Sequence, residues 1–227
     1  MAAHEPERLI EAGGVTVWQV CGLADAALLE RCRTYLSPDE LKRADRFAVA
    51  PPHQQFIVAR ATLRVLLGRT LHADPRTLEF AIGQFGKPSL KHHDIEFNVS
   101  HSGDVVLVAI GGQQPLGVDV EAEKTHRDLL RLALRFFAPG EVERLKSVSE
   151  SERTAAFYRC WTRKEAYLKA RGTGITLGLD NFEVAFLPDE REAVVRTPPN
   201  DAPENWNVFA IDAAPGHAAA LIVARDM

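Results

Sequence analysis

One order of candidate elements recurs along the chain: a strand, three helices, then three or four strands, twice over. Val15–Val20 reads as a first strand, and Asp25–Leu36 carries apolar residues at helical spacing. Ser37-Pro38-Asp39-Glu40 is a helix start, with Ser at the N-cap, Pro at the first helical position and Glu three residues on. That helix is expected to reach about Phe47, and a third spans Pro52–Leu71 with Phe56, Leu63, Leu66 and Leu67 along one side. Strands are expected at Leu78–Ile82, Ile95–Ser100 and Val105–Ile110. Gly111-Gly112-Gln113-Gln114-Pro115 breaks the pattern. The order then restarts with a strand at Leu116–Glu121. Helices follow at Asp128–Phe137, Pro139–Lys146 and Glu152–Arg171, the last closed by Gly172. Strands come last, at Phe182–Leu187, Ala193–Arg196, Trp206–Ile211 and Ala218–Ala224. The expectation is an α+β fold of two similar halves, residues 1–112 and 113–227, with a ligand crevice between them. A single α+β domain without internal symmetry is the alternative.

Composition narrows the function. The 227 residues are 46% hydrophobic, enough for a real core, and the formal charge of −4 argues against a general nucleic-acid binder. Three cysteines without a paired motif point to a reduced, cytoplasmic protein. No apolar run approaches the roughly 20 residues of a membrane helix. Met1–Arg8 has no apolar segment of the kind a signal peptide needs.

Three segments carry candidate chemistry. Gly117-Val118-Asp119-Val120-Glu121 puts two carboxylates on one face of a strand, because side chains alternate. Like charges that close call for a proton or a cation, and magnesium suits an oxygen set; an acidic strand end entering solvent is the plainer reading. Within Trp161–Lys169, Glu165 and Lys169 are four apart on one helix face: a further carboxylate beside a phosphate-binding lysine, or an exposed ion pair. Phe97–Gly103 ends a strand in small polar residues, placing His101 at a turn where it can donate to phosphate, or in a simple hairpin.

Gly86-Lys87-Pro88, Phe97–Gly103, Leu116–Glu121 and Phe157–Gly172, in this order and spacing, resemble the 4′-phosphopantetheinyl transferase superfamily. The match is to the long, two-half type related to the surfactin-synthetase activator. The resemblance covers most of the chain and implies a pseudo-two-fold pair of α/β halves with coenzyme A and magnesium between them. It implies transfer of the phosphopantetheine arm of coenzyme A to a serine of an apo acyl, peptidyl or aryl carrier protein, releasing adenosine 3′,5′-bisphosphate. Such carriers serve fatty-acid, polyketide or nonribosomal-peptide synthesis. By position, Asp119, Glu121 and Glu165 look like the magnesium ligands. His101, with Ser100 beside it, looks like a contact to the coenzyme A phosphates. Lys169 resembles the lysine on the diphosphate, Lys164 is expected near it, and Gly86, Lys87 and Pro88 resemble the loop along the nucleotide. Glu141 is similar to the glutamate proposed as general base in bacterial relatives. Glu40 and Gln55 stand where some relatives carry basic residues, so Arg43, Arg60, Arg46 or Arg64 would have to serve the 3′-phosphate.

Arg127, Arg131 and Arg135 form a basic stripe that could dock an acidic carrier, or an ordinary solvated face. A fused pair of halves makes a monomer the expectation. Two other classes stay open at this stage: a coenzyme A- or nucleotide-binding regulator that transfers nothing, and another magnesium-dependent phosphoryl-transfer enzyme.

Overall fold

The computed structural model describes residues 5–83, 85–125 and 128–225. A hairpin opens the chain: β1 (Glu7–Ala12) pairs antiparallel with β2 (Val15–Cys21). Its turn, Gly13-Gly14, has φ of 57° and 72°, the left-handed conformation that a tight hairpin takes and that glycine adopts at no steric cost. The sequence reading began at the second strand of this hairpin. Three helices follow, α1 (Ala26–Arg33), α2 (Pro38–Ala44) and α3 (Ala50–Leu71). Asp25 caps α1, and Ser37 with Glu40 forms the expected capping box on α2. β3 (Phe80–Ile82) and β4 (Pro88–Leu90) make a small hairpin, the latter strand unforeseen. β5 (Phe97–Ser102) and β6 (Val105–Ile110) complete an antiparallel sheet of order β1-β2-β6-β5.

The second part begins with β7 (Leu116–Ala122). It continues through α4 (Leu129–Phe136), α5 (Pro139–Ser147) and α6 (Glu150–Arg171). Gly172, at φ 64°, ends α6 as expected. A short hairpin of β8 (Glu183–Val184) and β9 (Val194–Arg196) precedes β10 (Trp206–Ala210) and β11 (His217–Ala224). The second sheet runs β10-β11-β7.

Alternation along the strands sorts the core into three. Val106, Val108 and Ile110 of β6 face α3 with Ile57, Leu63 and Leu67. Ala218, Ala220 and Ile222 of β11 share a core with Tyr167 and Leu168 of α6. The opposite faces of both sheets meet each other: Val15, Val17, Val105 and Leu107 pack with Val118, Val120, Leu221 and Val223. Helices therefore flank two sheets that share a dry inner face. Among the described residues no helix is long and apolar enough to cross a membrane, and the three cysteines are free.

Candidate active site

The site forms where β5, the edge of the first sheet, runs alongside β7, the edge of the second. An edge strand leaves backbone N–H groups without partners. Here the side chains of β5 serve them. Asn98 Oδ1 accepts from Val118 N at 3.0 Å, Ser100 Oγ from Val120 N at 3.3 Å, and Ser102 Oγ from Ala122 N at 3.0 Å. The three rungs fall on alternate residues of both strands. This puts Val118 and Val120 into the inter-sheet core and turns Gly117, Asp119 and Glu121 toward α6.

Gly117 decides how close α6 comes. A Cβ there would lie 2.1 Å from the Ala166 carbonyl oxygen and 2.4 Å from the Ala170 nitrogen. Only glycine lets the helix lie directly on the strand, and that approach delivers Lys169 to Asp119. The Lys169 ammonium donates to Asp119 Oδ1 at 2.6 Å, to Ser100 Oγ at 2.9 Å and to the Val118 carbonyl at 3.1 Å. Asp119 Oδ1 also accepts from Ser100 Oγ at 2.8 Å, while its Oδ2 is buried without a hydrogen-bond partner. Glu121 Oε2 accepts from Ser102 Oγ at 2.7 Å.

Electrostatics bind Glu165 to the same group. Burial, then the negative charge of Asp119, push the Glu165 carboxyl above its ordinary pKa, and Glu121 adds to the push while Lys169 opposes it. Burial also raises Glu121, against the Ser102 hydrogen bond. Among the described residues no three His, Cys, Asp or Glu side chains converge closely enough to hold a metal ion. In this conformation Lys169 occupies one oxygen of Asp119 and Ser102 holds Glu121. The donor set nonetheless suits a hard cation: all oxygen, short of positive charge, with one buried carboxylate oxygen unpartnered.

Two adjoining pockets lie along β5 beside this acidic group. One is lined by Phe85, Gly86, Lys87, Pro88, Val99, Glu165 and Lys169. The other shares Gly86, Pro88 and Val99 and adds Arg43, Phe56, Arg60 and His101. Arg43 is exposed on the cleft wall. Arg60 makes a 3.2 Å ion pair with Glu40 and keeps one buried guanidinium nitrogen without a partner. His101 lies within β5 and not at the turn expected, because β5 runs on to Ser102 and the turn falls at Gly103-Asp104. Partial burial against the cleft and the charge of Lys169 hold its imidazole below the usual pKa.

Several expected roles do not fit this geometry. Glu141 is 0% exposed and fully engaged: Oε1 with Lys164 Nζ at 2.7 Å and Val184 N at 2.8 Å, Oε2 with Lys164 Nζ at 2.5 Å and Ala138 N at 3.0 Å. A base for an incoming serine needs access and a free lone pair, and Glu141 has neither. Lys164, equally sealed, spends its third proton on the Phe182 carbonyl and cannot reach a coenzyme A phosphate. Lys87, by contrast, lines the first pocket beside Gly86 and Pro88, with its ammonium held by Glu96 at 2.9 Å and the Leu116 carbonyl at 3.3 Å. Arg64 is committed to Glu40 and to the carbonyls of Pro75 and Leu78. Glu40 is thus the anchor of two arginines, and Gln55 donates to the Gly103 carbonyl. Arg131 and Arg135 are exposed on α4; Arg127 lies outside the described residues. Sequence reading missed Asn98 and Ser102, whose signal was a polar residue at every second position of β5.

Comparison with known proteins gives the family. Residues 115–222 match the family described as the 4′-phosphopantetheinyl transferase superfamily, and residues 25–112 match the N-terminal region of a 4′-phosphopantetheinyl transferase. The chain is 38% identical over 188 residues to protein slr0495 of Synechocystis sp., covering 81% of this chain and 75% of that protein. It is 36% identical to the 4′-phosphopantetheinyl transferase HetI of Nostoc sp., over 82% of this chain and 79% of the relative. Against the 4′-phosphopantetheinyl transferase Sfp of Bacillus subtilis the identity is 30%, over 86% and 85%.

Proposed function

The chain belongs to the 4′-phosphopantetheinyl transferase superfamily, and on that premise we propose how its cleft carries out the transfer. The enzyme moves the phosphopantetheine arm of coenzyme A to a carrier protein. The observation that supports the reading best is a pair of adjoining pockets with cationic groups in each: Lys169 beside the acidic strand, and Arg43 and Arg60, with the His101 imidazole as a further donor, in the second. Coenzyme A carries phosphate at two separated places, a diphosphate and a 3′-phosphate. A diphosphate near Lys169 puts the scissile bond beside Asp119, Glu121 and Glu165. The 3′-phosphate then falls to Arg43, Arg60 and His101. Gly86 and Pro88 wall the nucleotide between them, and Ser100 fixes Lys169 through its hydroxyl.

Asp119, Glu121 and Glu165 are the residues that would hold magnesium. When bound, the ion neutralises charge on the diphosphate and polarises the phosphorus under attack. Lys169 steadies negative charge on the departing adenosine bisphosphate. The carrier serine must lose a proton in the cleft, and the sealed Glu141 is not available for it. With Glu165 placed among the cation ligands, that proton passes to water in the cleft. Arg131, Leu134 and Arg135 on the exposed side of α4 offer an acidic carrier a basic face with an apolar centre, Leu134 being 64% exposed. We take residues 1–112 and 113–227 as the two functional halves, acting in a cytoplasmic monomer.

The test is to incubate the protein with coenzyme A, magnesium and a panel of apo-carriers, then record intact carrier masses. One phosphopantetheine gained per carrier, and none in EDTA, is the expected result. Coenzyme A binding with no carrier modified would favour a binding regulator. Bisphosphate release without a protein acceptor would favour a different phosphoryl-transfer enzyme.

A further inference from the structure

Two rungs of the β5–β7 ladder do more than satisfy an edge. Ser102 Oγ accepts from Ala122 N and donates to Glu121 Oε2, while Ser100 Oγ accepts from Val120 N and Lys169 Nζ and donates to Asp119 Oδ1. Ser100 accepts from two donors and Ser102 from one, and each spends its single proton on a carboxylate of the acidic strand. The third rung, Asn98, offers its carbonyl oxygen to Val118 N and touches no carboxylate. Both serines belong to the first sheet and both carboxylates to the second. The packing of one sheet against the other thus fixes where the carboxylate oxygens point.

We propose that Ser102 is a positioning residue for Glu121, holding one carboxylate oxygen so that the other is presented to a divalent cation, with Ser100 doing the same for Asp119. The unpartnered Oδ2 of Asp119 is what this arrangement leaves: one oxygen tied by Ser100 and Lys169, its twin buried and unbonded. A hydrogen-bond donor that fixes a ligand's orientation contributes to metal affinity without touching the metal. Ser102 is the cleaner test of the two, because Ser100 also contacts Lys169. The proposal rests on the reading of Asp119, Glu121 and Glu165 as cation ligands.

The experiment is calorimetric titration of magnesium into the full-length protein saturated with coenzyme A, in the absence of carrier, for wild type, Ser102→Ala, Ser102→Thr and Asn98→Ser. Thermal unfolding of the four proteins is measured in parallel. Ser102→Ala should weaken magnesium binding about tenfold or more, in the range seen when a hydrogen bond to a ligand is removed. Ser102→Thr restores the hydroxyl and should bind within about threefold of wild type. Asn98→Ser should alter the unfolding temperature with no change in magnesium affinity. Equal magnesium affinity in Ser102→Ala and wild type would overturn the positioning role. So would Asn98→Ser weakening magnesium as much as Ser102→Ala, since the rungs would then act only as a joint between sheets. A wild-type protein that binds coenzyme A but no magnesium would instead remove the cation reading beneath the proposal.

Discussion

Lys164 and Glu165 are neighbours on α6 and face opposite circumstances. Lys164 points into the second half's core, where one carboxylate, one ammonium and three backbone groups satisfy one another completely. Glu165 turns about 100° away, as helix geometry requires. It reaches a cleft where burial, then the charges of Asp119 and Glu121, push its carboxyl up, with Lys169 the cation that opposes them. Burial raises the Glu141 carboxyl as well, but there an ammonium and two backbone N–H groups bond to it directly. A group whose charge is fully met inside the fold has nothing left to offer a substrate. One whose charge is unmet can attract a cation.

The comparison breaks first at the sealed pair. Lys164→Met should leave Glu141 buried without its counter-charge and cost about 3–5 kcal/mol of stability. Adding Glu141→Gln, which removes the stranded charge and keeps an acceptor for one of Ala138 N and Val184 N, should recover part of that loss. Denaturant unfolding of the single and double variants measures both. If Glu141→Gln alone abolished transfer and left stability and the unfolding temperature untouched, Glu141 would be a chemical group after all, and the contrast would fail.

At the open site the signs reverse. Glu165→Gln should lower turnover by about a hundredfold or more, because a charged oxygen ligand of the cation becomes a neutral amide. Without magnesium its unfolding temperature should stay level or rise, because one of three mutually repelling carboxylates becomes neutral. Carrier-mass kinetics and thermal unfolding separate the two effects. A fall in stability matching the fall in activity would place Glu165 with the structural groups.

How much of this was legible beforehand follows from the kind of interaction involved. The alternating pattern of Gly117–Glu121 fixed which side chains share a face, and the capping signals at Ser37 and Gly172 marked helix ends, because both depend on residues adjacent in the chain. Glu141 was misread because its sequence context carries no trace of Lys164, 23 residues away and inside the core. Gly117 looked like any strand glycine until α6 was seen lying on it. The ladder of Asn98, Ser100 and Ser102 was written in the sequence as an alternation. Its meaning depended on β7 lying alongside, which no local pattern specifies.

A third carboxylate, held against the same helix, sharpens the comparison with a smaller effect. Asp201 comes from the loop before β10 and was read from sequence as plain loop. Its carboxylate accepts from Tyr167 Oη, from Arg171 at 3.0 Å, from Trp206 Nε1 at 3.0 Å and from the backbone of Ala202 at 2.8 Å. Burial alone would raise its pKa, but the hydrogen bonds led by Tyr167 and Trp206 take it below the ordinary carboxylate value. A carboxyl depressed in the folded state contributes stability that is present above its unfolded pKa, near 3.9, and is lost as pH falls through the lower folded value. Asp201→Asn should therefore cost about 1–2 kcal/mol near neutral pH, where a charged acceptor is exchanged for a neutral one. The gap between wild-type and variant unfolding temperatures should be widest above about pH 5 and narrow progressively as pH falls below about 4. A gap constant across that range would mean that the ring of donors around Asp201 stabilises shape and not charge.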